Sequence, residues 1–552
     1  MALHCYCTRP SRCHLVIIVR CNPAVRSCKR IMRLFSAKSL IALTTLTLLL
    51  GSATGEGDAG STGKPPEATV LTLLHTNDLH GSIIYPGEPR GIATLARRIR
   101  KEMPHVLLLD SGDIIHGTPA EKLLEGRPVI AAMNAAGYDA AAAGNHEFDW
   151  GQRIARNAIA AAAFPILSAN VVDAASGEPW GGLQPFIVQE AGGVRIAIFG
   201  LTTHRTPEIQ WPRTIEGIDF RDAIEAARVL VPRLREFERA DVVVALTHLG
   251  VETDRELAAS VPGIDVILSG HSHTRLEQQV WVGKTLIAQT GSAAGHLGRI
   301  DLLIRRDDKD SGVIAINGQG GRWWGRDGVS APLGREYPTQ PLIALTASEE
   351  DDPAVSAAYH PFVERVQRHL DEELTSALEP LPADGVEHEE IALGQLQADA
   401  VRAFTNADIG LSALYSLNPS GLSPGPVRVS DVYELFGGYT RQHLVVVRAP
   451  GARITEMLDA ANDGVVRLHL SGAQVRDDVL HIGDAPLDAN QRYTVASAAH
   501  IIQEHLLGKE GVAVMSDNPE AAAIRDATIA YLRGHPPLEN VVRPQLTSVA
   551  VP

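Results

Sequence analysis

VLTLLHTNDLHG (70–81) opens as an apolar run and closes on His75, Asn77, Asp78 and His80. A short apolar run reads as a buried strand, and polar residues at its carboxyl end are placed where functional groups gather in α/β sheets. Four further stretches repeat the pattern. Asp113 follows VLLLD (106–110), and Asn145-His146 follows an Ala-rich run. His248 follows VVVAL (242–246), and His271-Ser272-His273 follows VILSG (266–270). On an extended backbone, residues two apart share a face, so Asp78 with His80, and His271 with His273, would each aim two donors into one cavity.

Working outward, apolar runs at 70–74, 106–109, 194–201, 241–246, 265–268 and 299–304 alternate with helical patterns at 91–102, 120–136, 151–163 and 221–238. That alternation predicts an α/β catalytic domain over 67–306 with largely buried strands. Residues 307–373 read as a trailing hairpin, a connection and a linking helix at 352–373, the last patterned by Val355, Tyr359, Phe362, Val363, Val366 and Leu370. Residues 374–552 mix helices (391–405, 451–461, 519–533) with strands (408–414, 443–448, 492–497) and predict a smaller α+β domain. A chain of 552 residues exceeds one compact core, which agrees with two domains.

Residues 1–31 hold all five cysteines and six basic residues with no acid. From Met32 the order becomes Arg33 and Lys38, an apolar run from Leu40 to Leu50, then Gly51-Ser52-Ala53. That is a leader with a cleavage site near Ala53 or Gly55, which makes 1–31 a misassigned start, 32–55 a signal peptide and 56–66 a linker. The apolar run is shorter than the ~20 residues a membrane helix needs, so no stable anchor is expected after cleavage. The expected location is outside the cytoplasm, in the periplasm, and a cysteine-free body suits an oxidising compartment. Loss of 1–55 removes eight basic residues and no acid, taking the formal charge from −15 to −23. So acidic a body excludes general binding of long nucleic acid and leaves room for a small anionic substrate held by local cations.

Carboxylate, amide oxygen and imidazole together suit hard and borderline cations, and the set is large enough for two ions side by side. Zinc, manganese, iron and cobalt all fit such donors. Asp113 is the natural bridge between them. Asn145 can ligate through its side-chain oxygen, His146 next to it would face substrate, and Asp149 would hold His146 protonated. The alternative is that His146 is a further ligand and Asp149 a helix cap.

HTNDLHG (75–81), SGDIIHGT (111–118), AGNHEFDWG (143–151), THLG (247–250) and SGHSHT (269–274) closely resemble the calcineurin-like metallophosphoesterases. More narrowly they resemble the secreted 5′-nucleotidase family, with its UDP-sugar hydrolases and 2′,3′-cyclic-nucleotide phosphodiesterases. The resemblance implies a four-layer α/β/β/α sandwich followed by a substrate-binding domain. It implies one metal on Asp78, His80, Asp113 and His273, a second on Asp113, Asn145, His248 and His271, and a catalytic dyad of His146 and Asp149. It implies hydrolysis of a nucleotide phosphate ester by metal-bound hydroxide.

LGQLQADAVRAFTNADIGL (393–411), VRVSDVYELF (427–436) and YTVASAAH (493–500) resemble segments of that family's substrate-binding domain. The family's Gly-Gly-Ile-Arg loop is replaced here by LYSLNPSG (414–421), and its Gly-Asp-Gly-Tyr/Phe segment by HLLGKEGVAV (505–514). Arg402 and Arg441 are the candidates for the lost guanidinium; Tyr415, Phe436, Tyr439 and Tyr493 are those for rings that hold a base. The altered domain admits the same chemistry on another ester, including the sulfate–thiol ester cut by the related thiosulfohydrolases; a non-catalytic binding protein is the remaining reading. N-terminal sequencing of exported protein is expected to return no peptide from residues 1–31.

Overall fold

The computed structural model describes residues 2–7, 13–18, 68–83, 91–278, 280–305, 312–317, 323–325, 330–331, 342–345, 352–383, 391–413, 420–436, 442–463, 468–476, 479–518 and 522–541. The leader read at 32–55 and the linker at 56–66 lie outside them. The chain divides into two units, 1–64 and 65–552. In the first, Ala2–Cys7 pairs antiparallel with Cys13–Ile18.

Two β-sheets stack face to face in the first lobe of the second unit. One is built on β1 (Ala68–Thr76), β2 (Val106–Asp110), β3 (Ala140–Ala142) and β4 (Ile166–Leu167), joined in parallel. The other holds β5 (Phe186–Ala191), β6 (Val194–Thr202), β7 (Val242–His248), β8 (Val266–Ser269), β9 (Val280–Val282) and β10 (Thr285–Ala288) in the order β9-β10-β8-β7-β6-β5. Strand β11 (His296–Arg305) returns antiparallel beside β1 and carries β12 (Gly312–Asn317) on its far edge, which is the trailing hairpin.

Period-two alternation explains the stacking. In β1, Leu71 and Leu73 point into the space between the sheets, and Leu74 points away. In β7, Val242, Val244 and Leu246 point between the sheets, whereas Val243 and Ala245 point outward. Strands apolar on both faces must be covered on both. Helices α1 (Ile92–Glu102), α3 (Arg127–Ala136) and α4 (Gln152–Ala161) cover one outer face. Helices α5 (Ala223–Glu236) and α6 (Val251–Ser260) cover the other. The result is the expected α/β/β/α sandwich.

The helix expected over 120–136 is two helices. Thr118 caps α2 (Pro119–Leu124) by accepting the Glu121 amide at 3.3 Å. The chain then turns through left-handed Glu125 and Gly126, with φ of 55° and 74°, and restarts as α3. A Cβ on Gly126 would lie 2.6 Å from Cβ of Ile115, so glycine and a break are both required there.

The linking helix α7 (Pro353–Leu370) belongs to both lobes. Val355 and Tyr359 sit in the first-lobe core, while Val366 and Leu370 sit in the second. The second lobe holds α8 (Ala392–Thr405), β13 (Ile409–Ala413), α9 (Val429–Leu435), β14 (Leu444–Pro450), β15 (Leu468–Ser471), β16 (Arg492–Ala498), β17 (Ala513–Ser516) and α10 (Ile524–Leu532). Its sheet runs β15-β13-β16-β14-β17. The lobes also share α2, because Ala120 and Leu124 are part of the second-lobe core. No helix of the described residues is long and apolar enough to cross a membrane.

Between α2, α3 and α7 lies a buried carboxyl. Glu121 is fully enclosed, and neither oxygen accepts a well-formed hydrogen bond; the Val129 amide is a weak donor nearby. Burial pushes its pKa well above the usual carboxyl range. The folded state therefore keeps a proton that the unfolded chain releases above its ordinary pKa, and stability falls as pH rises past that value. Glu121→Gln lacks this penalty. Its melting temperature is expected to exceed the wild type's at pH 7 and above, with the difference shrinking toward pH 4.5, the ordinary value.

Candidate metal centre and its neighbouring dyad

The candidate ligands converge at the carboxyl ends of β1, β2, β7 and β8, but not through extended backbone. The φ angles are 50° at Asp78, 48° at His80, 59° at Asp113, 76° at His271 and 52° at His273. This corrects the expected shared face of an extended pair: each residue turns left-handed as its strand ends. Such a conformation costs a non-glycine residue about 1–3 kcal/mol, so the surroundings must enforce it. Backbone bonds between loops do so. The Asp78 amide donates to the Gly112 carbonyl at 3.0 Å, and the His80 amide to that of Asp113 at 3.0 Å. The His271 amide donates to both Asp78 carboxylate oxygens at 3.1 Å.

Close approach of the loops needs glycine at two further points. A Cβ on Gly144 would collide with the Asp113 carboxylate, and one on Gly270 would lie 2.8 Å from Nδ1 of His248. Both positions sit in stretches that the sequence singled out for other residues.

Three donor groups result among the described residues, one of them His116, His146 and Asp149 at the dyad, and the other two hold the candidate ligands. Asp78, His80 and His273 present ligand atoms within 4.8 Å of one another, and so do Asp113, His248 and His271. His248 links these two groups. Its Nδ1 can only donate to the Ser111 carbonyl, 2.7 Å away, which leaves Nε2 to point at Oδ2 of Asp113, 2.8 Å away, and Oδ1 of Asp78, 3.9 Å away. Burial opposes charge on this ring, yet Asp113 and Asp78 outweigh it and push its pKa up to about 10. Burial drives His80 and His271 the other way, each down to about 4.

Acceptors are crowded together. Nε2 of His80 faces Nε2 of His273 at 3.1 Å. Oδ1 of Asn145 is buried and receives no hydrogen bond. The carboxylates of Asp78 and Asp113 are both enclosed and repel each other. Unpaired buried acceptors are costly, and divalent cations relieve that cost with these donor types. The residues present therefore fit the group that such a donor set implies.

The dyad lies alongside. Nδ1 of His146 is 2.7 Å from Oδ2 of Asp149, and its amide donates to Oδ1 of Asp113 at 2.9 Å. Its free Nε2 is 3.8 Å from Oδ2 of Asp113. Burial disfavours the cation, but Asp149 and Asp113 prevail and push His146 up to about 9, so an imidazolium is held at neutral pH.

Three supporting residues went unread in the sequence. Glu147, buried, accepts amides from Asp113 at 3.1 Å, Ile114 at 2.6 Å and Gly144 at 2.6 Å. Gln210, 61 residues past Asp149, donates to Oδ1 of Asp149 at 2.5 Å and to the Asn145 carbonyl at 2.8 Å. His116 stacks on His146 at 4.6 Å and brings Nε2 within 3.2 Å of the Asp149 carboxylate. Glu147 and His116 lay inside stretches already flagged, at 143–151 and 111–118; nothing local marks Gln210.

The second-lobe candidates are scattered. Phe436 is wholly inside the lobe's core. Tyr493 is buried, and its hydroxyl accepts the Asp488 amide at 3.0 Å. Arg402 lies on the outer side of α8, where Nε donates to the Asp408 carbonyl at 3.2 Å. Tyr415, Tyr439 and Arg441 fall outside the described residues.

Comparison with known proteins agrees with this geometry. Residues 71–275 match the model of the calcineurin-like phosphoesterases, and residues 372–514 match that of the 5′-nucleotidase C-terminal domain. A 5′-nucleotidase of Vibrio cholerae is 27% identical over 91% of this chain and 96% of its own length. Protein UshA of Escherichia coli is 35% identical over 42% of this chain and 44% of its own. Among solved structures, a 5′-nucleotidase precursor from Thermus thermophilus covers 88% of this chain and all of its own, with 23% identity and a TM-score of 0.62. The sulfate thiohydrolase SoxB of the same organism covers 88% of this chain and 97% of its own, with 21% identity and a TM-score of 0.57; both likenesses concern the fold.

Fold and site thus define a hydrolase of the metallophosphoesterase class. Within it, the chain belongs to the family that couples a calcineurin-like phosphoesterase domain to a 5′-nucleotidase C-terminal domain. Glu147 gives a direct test of how the loops are held. Glu147→Ala leaves three buried amides unpaired and is expected to cost roughly 3 kcal/mol or more in urea denaturation. Metal content measured by elemental analysis should fall with it.

Proposed function

We propose that this protein hydrolyses nucleotide phosphate esters with two divalent cations. One cation is assigned to Asp78, His80, His273 and a shared Asp113; the other to Asp113, Asn145, His248 and His271. The contiguity of the two donor groups through His248 carries this reading, because its Nε2 lies within 3.9 Å of both carboxylates. Such ions, when bound, supply Lewis acidity toward phosphoryl oxygens and make water more acidic.

The chain's own groups do the rest. Nε2 of His146, left free by the Asp149 contact at Nδ1, donates to an oxygen of the transferring group or to the leaving oxygen. Asp149 keeps the ring protonated and oriented, and Gln210 and His116 fix Asp149 in turn. Enclosure of both carboxylates strengthens each of these interactions.

Nucleotides as substrate class are supported by the similarity to a named 5′-nucleotidase along nearly the whole chain. Export to the periplasm is supported by the leader pattern at 32–55. AMP, UDP-glucose, 2′,3′-cyclic AMP and an aryl phosphate, assayed with manganese or zinc, test the reading; turnover of the aryl phosphate alone would remove nucleotides and keep the chemistry. Asp113→Ala is expected to abolish activity and lose bound metal. His146→Ala should lower kcat by ~10²-fold with metal retained. Loss of metal from His146→Ala would instead make His146 a ligand.

A further inference from the structure

Two cations meet where the lobes join, beside the dyad, with Asp526 as the acidic group that acts on both. Lys122 lies on α2 in the first lobe, and Arg525 on α10 in the second. Helix α2 packs against α9, and α9 packs against α10, which brings the two side chains into one region. Each cation rests on an aromatic face. Nζ of Lys122 is 5.2 Å from the Trp150 ring centre, and Cζ of Arg525 is 4.8 Å from that of Tyr433. Among the described residues, no carboxylate forms an ion pair with either. Nε of Arg525 is buried and has no hydrogen-bond partner.

This arrangement is unfavourable by itself. Like charges held close at partly buried positions repel, and a buried N–H without an acceptor costs about 1–3 kcal/mol. Burial and the Arg525 charge together lower the pKa of Lys122 to about 8, against the opposing pull of Asp526, Asp149 and Glu125. An anion placed between them relieves both penalties. The position is also informative. Trp150 follows Asp149 in the chain and lies 5.9 Å from the His116 ring, so the cations flank the dyad rather than the ligand groups.

We propose that Lys122 and Arg525 form an anion-binding subsite that takes a second anionic group of the substrate, next to the phosphate held at the ligand groups. The proposal rests on reading those groups and the dyad as the hydrolytic site. The chemistry recognised is a phosphate or carboxylate carried on the leaving-group side of a phosphate ester. Because one cation comes from each lobe, an anion there also ties the lobes together.

The test compares phenyl phosphate with phenyl diphosphate, which carries the extra anionic group and no base. Terminal phosphate release from each is measured for the wild type, Lys122→Gln, Arg525→Gln and the double variant. Each single substitution is expected to lower kcat/KM for phenyl diphosphate about tenfold more than for phenyl phosphate. Lys122→Arg, which keeps the charge, should restore the wild-type ratio. Equal losses on the two esters, or none on the diphosphate, would overturn the subsite while phenyl phosphate turnover keeps the hydrolytic reading standing. A metal-loaded wild type that cleaves neither ester would overturn both.

Discussion

Asp78 and Asp113 are carboxylates enclosed at neighbouring strand ends, and their mutual repulsion is the constraint around which the first lobe is arranged. Every adjacent feature acts on it. His271 donates its amide to Asp78, His146 its amide to Asp113, and His248 directs one ring nitrogen toward both. The left-handed turns at five candidate ligands are the conformational cost of bringing these groups so close. The two sheets repay it, because strands buried on both faces hold the loop ends rigidly.

A second tier of buried polar groups holds the first. Glu147 gathers amides from the Asp113 and Gly144 loops, and Gln210 spans from Asp149 to the Asn145 carbonyl. His146 is thereby fixed through Asp149 and not by its own packing alone. This is the usual way in which a functional imidazole acquires one orientation and one protonation state. Across the junction, Trp211 and Arg213 of the first lobe contact Asp517 of the second. With α2 and α7 shared between the cores, the second lobe is set against the dyad side of the site.

Much of this was legible in the linear chain, and the reasons are physical. Strand β7 reads as a strand because Val242 to Leu246 are apolar without interruption, and doubly buried strands require that. His248 was legible because it ends such a run. The break between α2 and α3 was marked by Gly126 and Pro128, which end one helix and start the next, yet the apolar residues on either side read as one helix. Gln210 carried no local signal at all: its partner Asp149 is 61 residues away. The aromatic and arginine candidates of the second lobe were chosen by residue type, and type says nothing about which side of a lobe a ring faces. Phe436 proved to be interior, and Arg402 turned to Asp408.

By itself, then, the order of residues determined an α/β domain of doubly buried strands and the candidate metal-type donors at their ends, because both follow from periodicity and side-chain chemistry within a few consecutive positions, whereas the layering was implied by family resemblance. Only the tertiary structure decided the left-handed turns that bring those donors together, which residues brace the dyad, and that Lys122 and Arg525 come together from opposite lobes. Those are relations between side chains far apart in the chain, and they come into being only when sheets and helices pack.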